Sequence, residues 1–261
     1  MLVLISPSKS ITDKSPPFSV SSTDALFTDQ TDDLIHDLQK HSASKLQKTL
    51  DVSKSLANLN YERFQNWTKT DTKSALWLYS GDVYNGLDAF TMNKSDVAFA
   101  QKHIGILSGL YGFVRPLDAI RPYRLEMKLH YSGPWGDSLY SAWSKTLADY
   151  IKHTGNETVL MCASKEYAKA ATKDLSGSIR VVTPRFMQET EDGLKEKGLF
   201  AKYARGALAR FVIDNRLTDI NGIQNYTKDG FSYSKDLSKG DELVFIIPKD
   251  FSLKGRFTQK S

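Results

Sequence analysis

The chain has 261 residues, 40% hydrophobic and 25% charged, with 11% aromatics; these are the proportions of a folded protein and exclude wholesale disorder. Thirty-five Lys and Arg against 30 Asp and Glu give a formal charge of +5, a mild bias toward anionic partners that becomes a site only where the excess clusters. A single cysteine excludes an internal disulfide. The N-terminus lacks the basic region of a signal peptide and no apolar run nears the roughly 20 residues that span a bilayer, so a cytoplasmic protein without membrane association is expected.

The first element is the apolar run Leu2 to Ile5, a strand buried on both faces; it ends in Ser6-Pro7 and places Lys9 at the carboxyl edge of a sheet. Residues 10–23, rich in Ser, Thr and Pro, predict an extended loop. Between Asp24 and Trp67, Leu34, Ile35 and Leu38, then Leu46 and Leu50, then Leu56, Leu59, Phe64 and Trp67 recur at three- and four-residue spacings. This predicts two helices with those residues inward and a tight turn near Asp51 to Lys54. Ser74 to Tyr79 predicts a strand feeding the polar loop Ser80 to Gly86. A helix is expected over 96–103, a strand over Ile104 to Leu107, a helix over Leu139 to Lys152, and strands over 158–163 and Ile179 to Val182. Cys162 lies in the apolar run Val159 to Ala163 and is expected to be buried and inert. A basic amphipathic helix follows over Leu199 to Arg216, with Ala201, Leu208, Phe211 and Val212 inward, then an edge segment Phe231 to Tyr233 and a strand over 242–247. The alternation of helix and strand predicts an α/β fold, with one domain over 1–261 and a mixed sheet flanked by helices.

Polar chemistry is densest between Tyr79 and Glu126, where Asp82, Tyr84, Ser108, Tyr111, Arg115, Asp118, Arg121, Tyr123, Arg124 and Glu126 are punctuated by glycine and proline. Glycine permits close backbone approach, proline fixes turns, and the arginine fork suits phosphate or carboxylate. Two readings stand open: a rigid polar pocket, and a network of Arg–Asp and Arg–Glu pairs that holds loops together. The five histidines, His36, His41, His103, His130 and His153, are scattered without metal-ligand spacing, so neither a metal nor a cofactor is expected. The helical hairpin predicted over 44–67 carries Lys45, Lys48 and Lys54 and offers backbone N–H groups of the kind that meet nucleic-acid phosphate.

The segments Leu4-Ile-Ser-Pro-Ser-Lys9, Gly81-Asp-Val-Tyr-Asn-Gly86, Leu107-Ser-Gly-Leu-Tyr-Gly112, Arg115-Pro-Leu-Asp118 and Pro122-Tyr-Arg-Leu-Glu-Met127 closely resemble the YaaA family of bacterial peroxide-stress proteins. Ala163-Ser-Lys-Glu-Tyr167, Tyr203-Ala-Arg-Gly206, Arg210-Phe-Val-Ile-Asp-Asn215 and Glu242-Leu-Val-Phe245 extend the resemblance in order; the tail after Phe245 falls outside it and Phe18 to Asp29 matches loosely. The resemblance implies a cytosolic protein that helps cells survive hydrogen peroxide and is associated with iron homeostasis, limiting free intracellular iron and hence Fenton damage to DNA. It implies an unusual α/β fold with a positively charged cleft and a helix-hairpin-helix element, here 44–67, that together bind double-stranded DNA without sequence preference. Carried onto this sequence, Ser6 and Lys9 match the first motif and Asp82 and Tyr84 the second. Arg115, Arg121, Arg124, Lys202, Arg205 and Arg210 fall at its basic cleft positions, with Lys54 on the hairpin.

The alternative is an enzyme acting on a small phosphorylated or carboxylated metabolite. Lys9 would be charge clamp or nucleophile, Asp82 or Glu126 the general base, and Tyr84 or Tyr111 the proton donor. What separates the two is whether Asp82 and Glu126 face a cavity with Lys9 or serve as partners of Arg115 and Arg124.

Overall fold

Apolar on both faces, Leu2–Ile5 (β1) is buried throughout at the middle of a mixed sheet in the computed structural model, which describes residues 1–133, 135–175, 177 and 179–251. The sheet's other strands are Ile104–Ser108 (β2), Gly112–Val114 (β3), Thr158–Met161 (β4), Arg180–Thr190 (β5), Gly193–Lys195 (β6), Ser232–Lys239 (β7) and Glu242–Ile247 (β8). Their spatial order is β7-β8-β5-β4-β1-β2-β3, with β6 paired to β5. β1 runs parallel to β2 and β4, and β5 parallel to β4 and β8, whereas β3, β6 and β7 add as antiparallel neighbours.

The helices are Thr28–Gln39 (α1), Ala43–Leu50 (α2), Lys54–Gln65 (α3), Ala75–Leu78 (α4), Asp82–Leu87 (α5), Lys94–His103 (α6), Leu139–His153 (α7), Lys165–Thr172 (α8) and Gly198–Asp214 (α9). Ser42, Ser53 and Ser138 cap α2, α3 and α7 by accepting a backbone N–H, and Asn93 forms a capping box with Asp96 at α6. Among the described residues no helix is long and apolar enough to cross a membrane.

Connectivity opens a crevice in this sheet. From β1 the chain proceeds to β2 on one side, and from β4 to β5 on the other. The loops leaving the carboxyl ends of β1 and β4 therefore diverge, the arrangement that leaves room for a ligand in open α/β sheets. Across that opening lies α9, which packs on β1, β5, α6 and above all α5. The α5–α9 crossing is close because two glycines face across it. A Cβ added at Gly206 would fall against the backbone oxygen of Val83, and one at Gly86 against that of Tyr203.

Several local expectations are corrected. Ser74 to Tyr79 is not one strand: Ala75–Leu78 is one buried helical turn between the two-residue strands Lys73–Ser74 and Tyr79–Ser80. A short run buried on all sides carries no period by which helix and strand differ. The polar loop after it is helix α5. Between Asp24 and Trp67 there are three helices, because the chain breaks again before the Ser42 cap. Leu56 and Leu59 face solvent, since the buried stripe of α3 is Ala57, Asn60 and Phe64. The strand expected to end at Val182 runs on to Thr190 through Pro184. Its pairing with β4 ends at Val182, so Pro184 lies where one side of β5 has no ladder to supply.

Candidate functional site

A cleft of about 490 Å³ opens at the carboxyl ends of β1 and β4, within the size range of small-molecule sites. Three strand-end or helix-start segments build its walls. Ser6 to Ser10 leave β1, Ser164 to Tyr167 carry β4 into α8, and Gly81 to Val83 open α5. The irregular stretch Tyr123 to Glu126 and Lys128 forms another side, and Lys202 and Arg205 reach in from α9. Ser10–Ile11 pairs antiparallel with Tyr79–Ser80, which pins the loop bearing Lys9 beside the start of α5. Gly81, at φ 104°, makes the turn that presents Asp82, a conformation that side chains rarely adopt.

Hydrogen bonds from deeper layers hold the wall. Tyr84, buried on α5, donates from its hydroxyl to Ser6 O at 3.2 Å, and Ser164 N–H donates to Ser6 Oγ at 2.8 Å. The ends of β1 and β4 and the start of α5 are thereby tied at one serine. Burial holds the Tyr84 phenol well above its usual range, and the neighbouring tyrosines Tyr123 and Tyr167 push it in the same direction.

Five cationic side chains (Lys9, Arg124, Lys128, Lys202, Arg205) and three carboxylates (Asp82, Glu126, Glu166) line the cleft, a formal excess of two positive charges. Glu126, nearly buried, sits 2.6 Å from Lys9 Nζ through Oε2 and 3.3 Å from Arg124 Nη2 through Oε1. Arg205 pairs with Glu196 at 3.1 Å. Asp82, Lys128 and Lys202 make no ion pair among the described residues. Burial raises the Glu166 carboxyl and nearby Glu126 adds to it, opposed by the Lys128 N–H that Glu166 accepts. Arg124 Nε is buried with no partner among the described residues, a deficit costing about 1–3 kcal/mol when nothing fills it.

The residues singled out from sequence divide sharply. Ser6, Lys9, Asp82, Arg124, Glu126, Lys202 and Arg205 converge on the cleft. Tyr84 lies behind the wall as a brace, and Tyr111 accepts the Arg121 N–H. Arg115 is held by fully buried Asp118 at 2.8 Å and donates to Asp24 O. Arg121 donates to Thr70 O and lies over the Trp67 ring. Arg210 bonds Asp214, Asp88 O and Thr91 Oγ1. Lys54 opens α3, outside the cleft. In the Arg115, Arg121 and Arg210 cases long-range partners claim the guanidinium, and these partners are invisible to a reading of neighbours in sequence.

Lys128, Ser164 and Glu166 carry no sequence expectation as site residues, and Tyr123 enters only as a member of the polar constellation between Tyr79 and Glu126. The signal for Ser164 and Glu166 is present in the sequence: like Ser6 to Lys9, they directly follow an apolar strand run, so the same carboxyl-edge argument applies to both. Cys162, just behind that edge, is buried, and burial pushes its thiol up to about 12.

A family model described as peroxide stress protein YaaA matches residues 1–237, a span containing every cleft residue. The chain is 39% identical over 254 residues to a UPF0246 protein of Saccharophagus degradans, covering 94% of this chain and 98% of that relative. It is 36% identical over 255 residues to UPF0246 proteins of Legionella pneumophila strains Lens and Philadelphia 1, covering 94% of this chain and 99% of each.

Proposed function

Because the chain belongs to the peroxide stress protein YaaA family, we propose that it acts in the cytoplasmic response to hydrogen peroxide by binding double-stranded DNA without sequence preference. Occupying the duplex in this way would limit iron-dependent Fenton damage to it. The observation that supports the reading is the convergence of Lys9, Arg124, Lys128, Lys202 and Arg205 on one cleft, with Lys128 and Lys202 making no ion pair among the described residues. Backbone phosphates meeting these side chains would release counterions, so affinity falls linearly with log salt concentration. The α2–α3 pair supplies a second contact through Lys54 and the N–H groups that open α3.

The test is binding of a labelled duplex across a salt series. Lys202→Ala/Arg205→Ala weakens binding and flattens the log–log slope by about 2, and Lys9→Ala weakens it less, because Lys9 is already paired with Glu126. No binding by the unmodified protein at low salt ends the DNA reading.

One observation favours a second reading. Asp82 and Glu126 both line the cleft with Lys9; Glu126 also pairs with Arg124, while Arg115 takes Asp118. An enzyme acting on a small phosphorylated or carboxylated metabolite would use Lys9 as a charge clamp and Asp82, which unlike Glu126 makes no ion pair among the described residues, as general base. Phosphate release from a panel of phosphorylated metabolites, abolished in Asp82→Asn, would support it; no turnover on any of them would remove it.

A further inference from the structure

Two donors without acceptors among the described residues belong to Tyr123 and Arg124, neighbours in sequence that both line this cleft. The first emerges from counting hydroxyl hydrogens. Ser108 Oγ lies 2.6 Å from Tyr123 Oη, and Tyr79 Oη lies 2.7 Å from the same atom. Ser108 Oγ already accepts the N–H groups of Leu110 and Tyr111 at 3.1 and 2.9 Å, which fills its two lone pairs and leaves its O–H to donate to Tyr123. Tyr79 is buried and, among the described residues, its hydroxyl meets only Tyr123, so its hydrogen points there as well. Three hydroxyl hydrogens thus share two oxygen–oxygen contacts, and one is left over. Of the three residues only Tyr123 lines the cleft. Its phenol is neutral at physiological pH, because burial pushes it up to about 12 against the pull of the two bonds it accepts.

The second donor is the buried, unpartnered Arg124 Nε–H, on a guanidinium whose Nη2 is oriented by Glu126. Nearby, Ser6 Oγ accepts the Ser164 N–H, leaving its own O–H for a ligand, and no side chain caps the first turn of α8.

We propose that these groups form a subsite for a phosphate monoester, with one phosphate oxygen on the Tyr123 O–H and another on the Arg124 Nε–H. Lys128 and Lys202 balance its charge. The class follows from that charge: the cleft's formal excess of two matches a terminal phosphate, which carries about −1.5 to −2 near neutral pH, better than a carboxylate or a backbone diester with one. The inference rests on the anion-binding reading of the cleft, and on neither duplex binding nor turnover.

Inorganic phosphate titrated into the full chain by calorimetry tests it, with a nucleoside 5′-monophosphate and duplexes with and without 5′-phosphates as further arms. The unmodified protein binds phosphate; Tyr123→Phe weakens it about 10-fold, the effect of one hydrogen bond to a charged group. Arg124→Lys, which keeps the charge but removes the Nε–H, weakens it at least as much. Tyr79→Phe, which leaves the Tyr123 hydroxyl in place, stays within about 3-fold by the same scale. If Tyr123→Phe fails to fold, Arg124→Lys decides alone. Phosphate binding without duplex binding keeps this inference and removes the DNA reading. Duplex binding that ignores 5′-phosphates and is not competed by inorganic phosphate does the reverse. Affinity for phosphate unchanged in Arg124→Lys overturns the subsite.

Discussion

Gly206→Ala at the α5–α9 crossing tests the physical link between fold and cleft. The new Cβ would press on Val83 O and stand 2.7 Å from Val83 C and 2.9 Å from Leu87 N. All three are backbone atoms, so no rotamer change relieves the contact and the helices must part. Overpacking of this kind costs up to about 3 kcal/mol, and the gain of alanine over glycine inside a helix returns about 1 kcal/mol. The net loss is about 2 kcal/mol, a fall in Tm of roughly 4–8 °C for a chain of this size. Since α5 carries Asp82 and α9 carries Lys202 and Arg205, ligand affinity should fall with it. Thermal and urea denaturation followed by circular dichroism measure the effect, with Gly198→Ala as control. That glycine starts the same helix with no atom within 4 Å of an added Cβ, and its replacement should be neutral or slightly stabilising. Gly206→Ala as stable as the unmodified protein would refute the claim that backbone contact fixes the distance across the cleft.

Other predictions concern buried polar groups. Asp118, fully buried, accepts from Arg115 N, Arg115 Nε and Thr23 Oγ1 at 2.8, 2.9 and 2.6 Å; Asp118→Ala should cost about 3 kcal/mol in urea denaturation, the low end for breaking a buried pair because Arg115 is partly exposed. A loss under about 1 kcal/mol would show that the pair is not structural. Burial raises the phenols of Tyr79, Tyr84, Tyr123 and Tyr167, so the stability they contribute is complete below the unfolded value of about 10 and is lost as pH rises above it, through about 12 in the case of Tyr123. Tyrosinate absorbance should therefore rise together with unfolding, and reversible ionisation of these phenols near pH 10 in the folded protein would contradict it. Cys162, with its thiol pushed up to about 12, should resist alkylation until the chain is denatured; mass spectrometry showing rapid modification of the native protein would place it elsewhere than in the core.

Local chemistry alone specified much of this molecule. The unbroken apolar run of β1, the caps and stripe of α7 and the six apolar-rich residues of β8 fix their elements wherever they lie, because period and capping act within a few residues. The strand-end position of Lys9 and the polar density around Asp82, Arg124 and Glu126 likewise pointed to the region that forms the cleft. Tertiary structure decided the rest. Ala75–Leu78 became a helical turn because burial on every side erased its period, and Leu56 and Leu59 turned outward because α3 buries Ala57 and Phe64 instead. The arginines show the limit most clearly. Arg115, Arg121, Arg124 and Arg210 are chemically alike, yet Asp24, Thr70 and Asp88 hold three of them through contacts that join distant parts of the chain, while the Nε of Arg124 has no partner among the described residues. A hydrogen bond depends on separation in space, and only the packed chain sets which donors find an acceptor and which, like those of Tyr123 and Arg124, are left over on residues of the cleft wall.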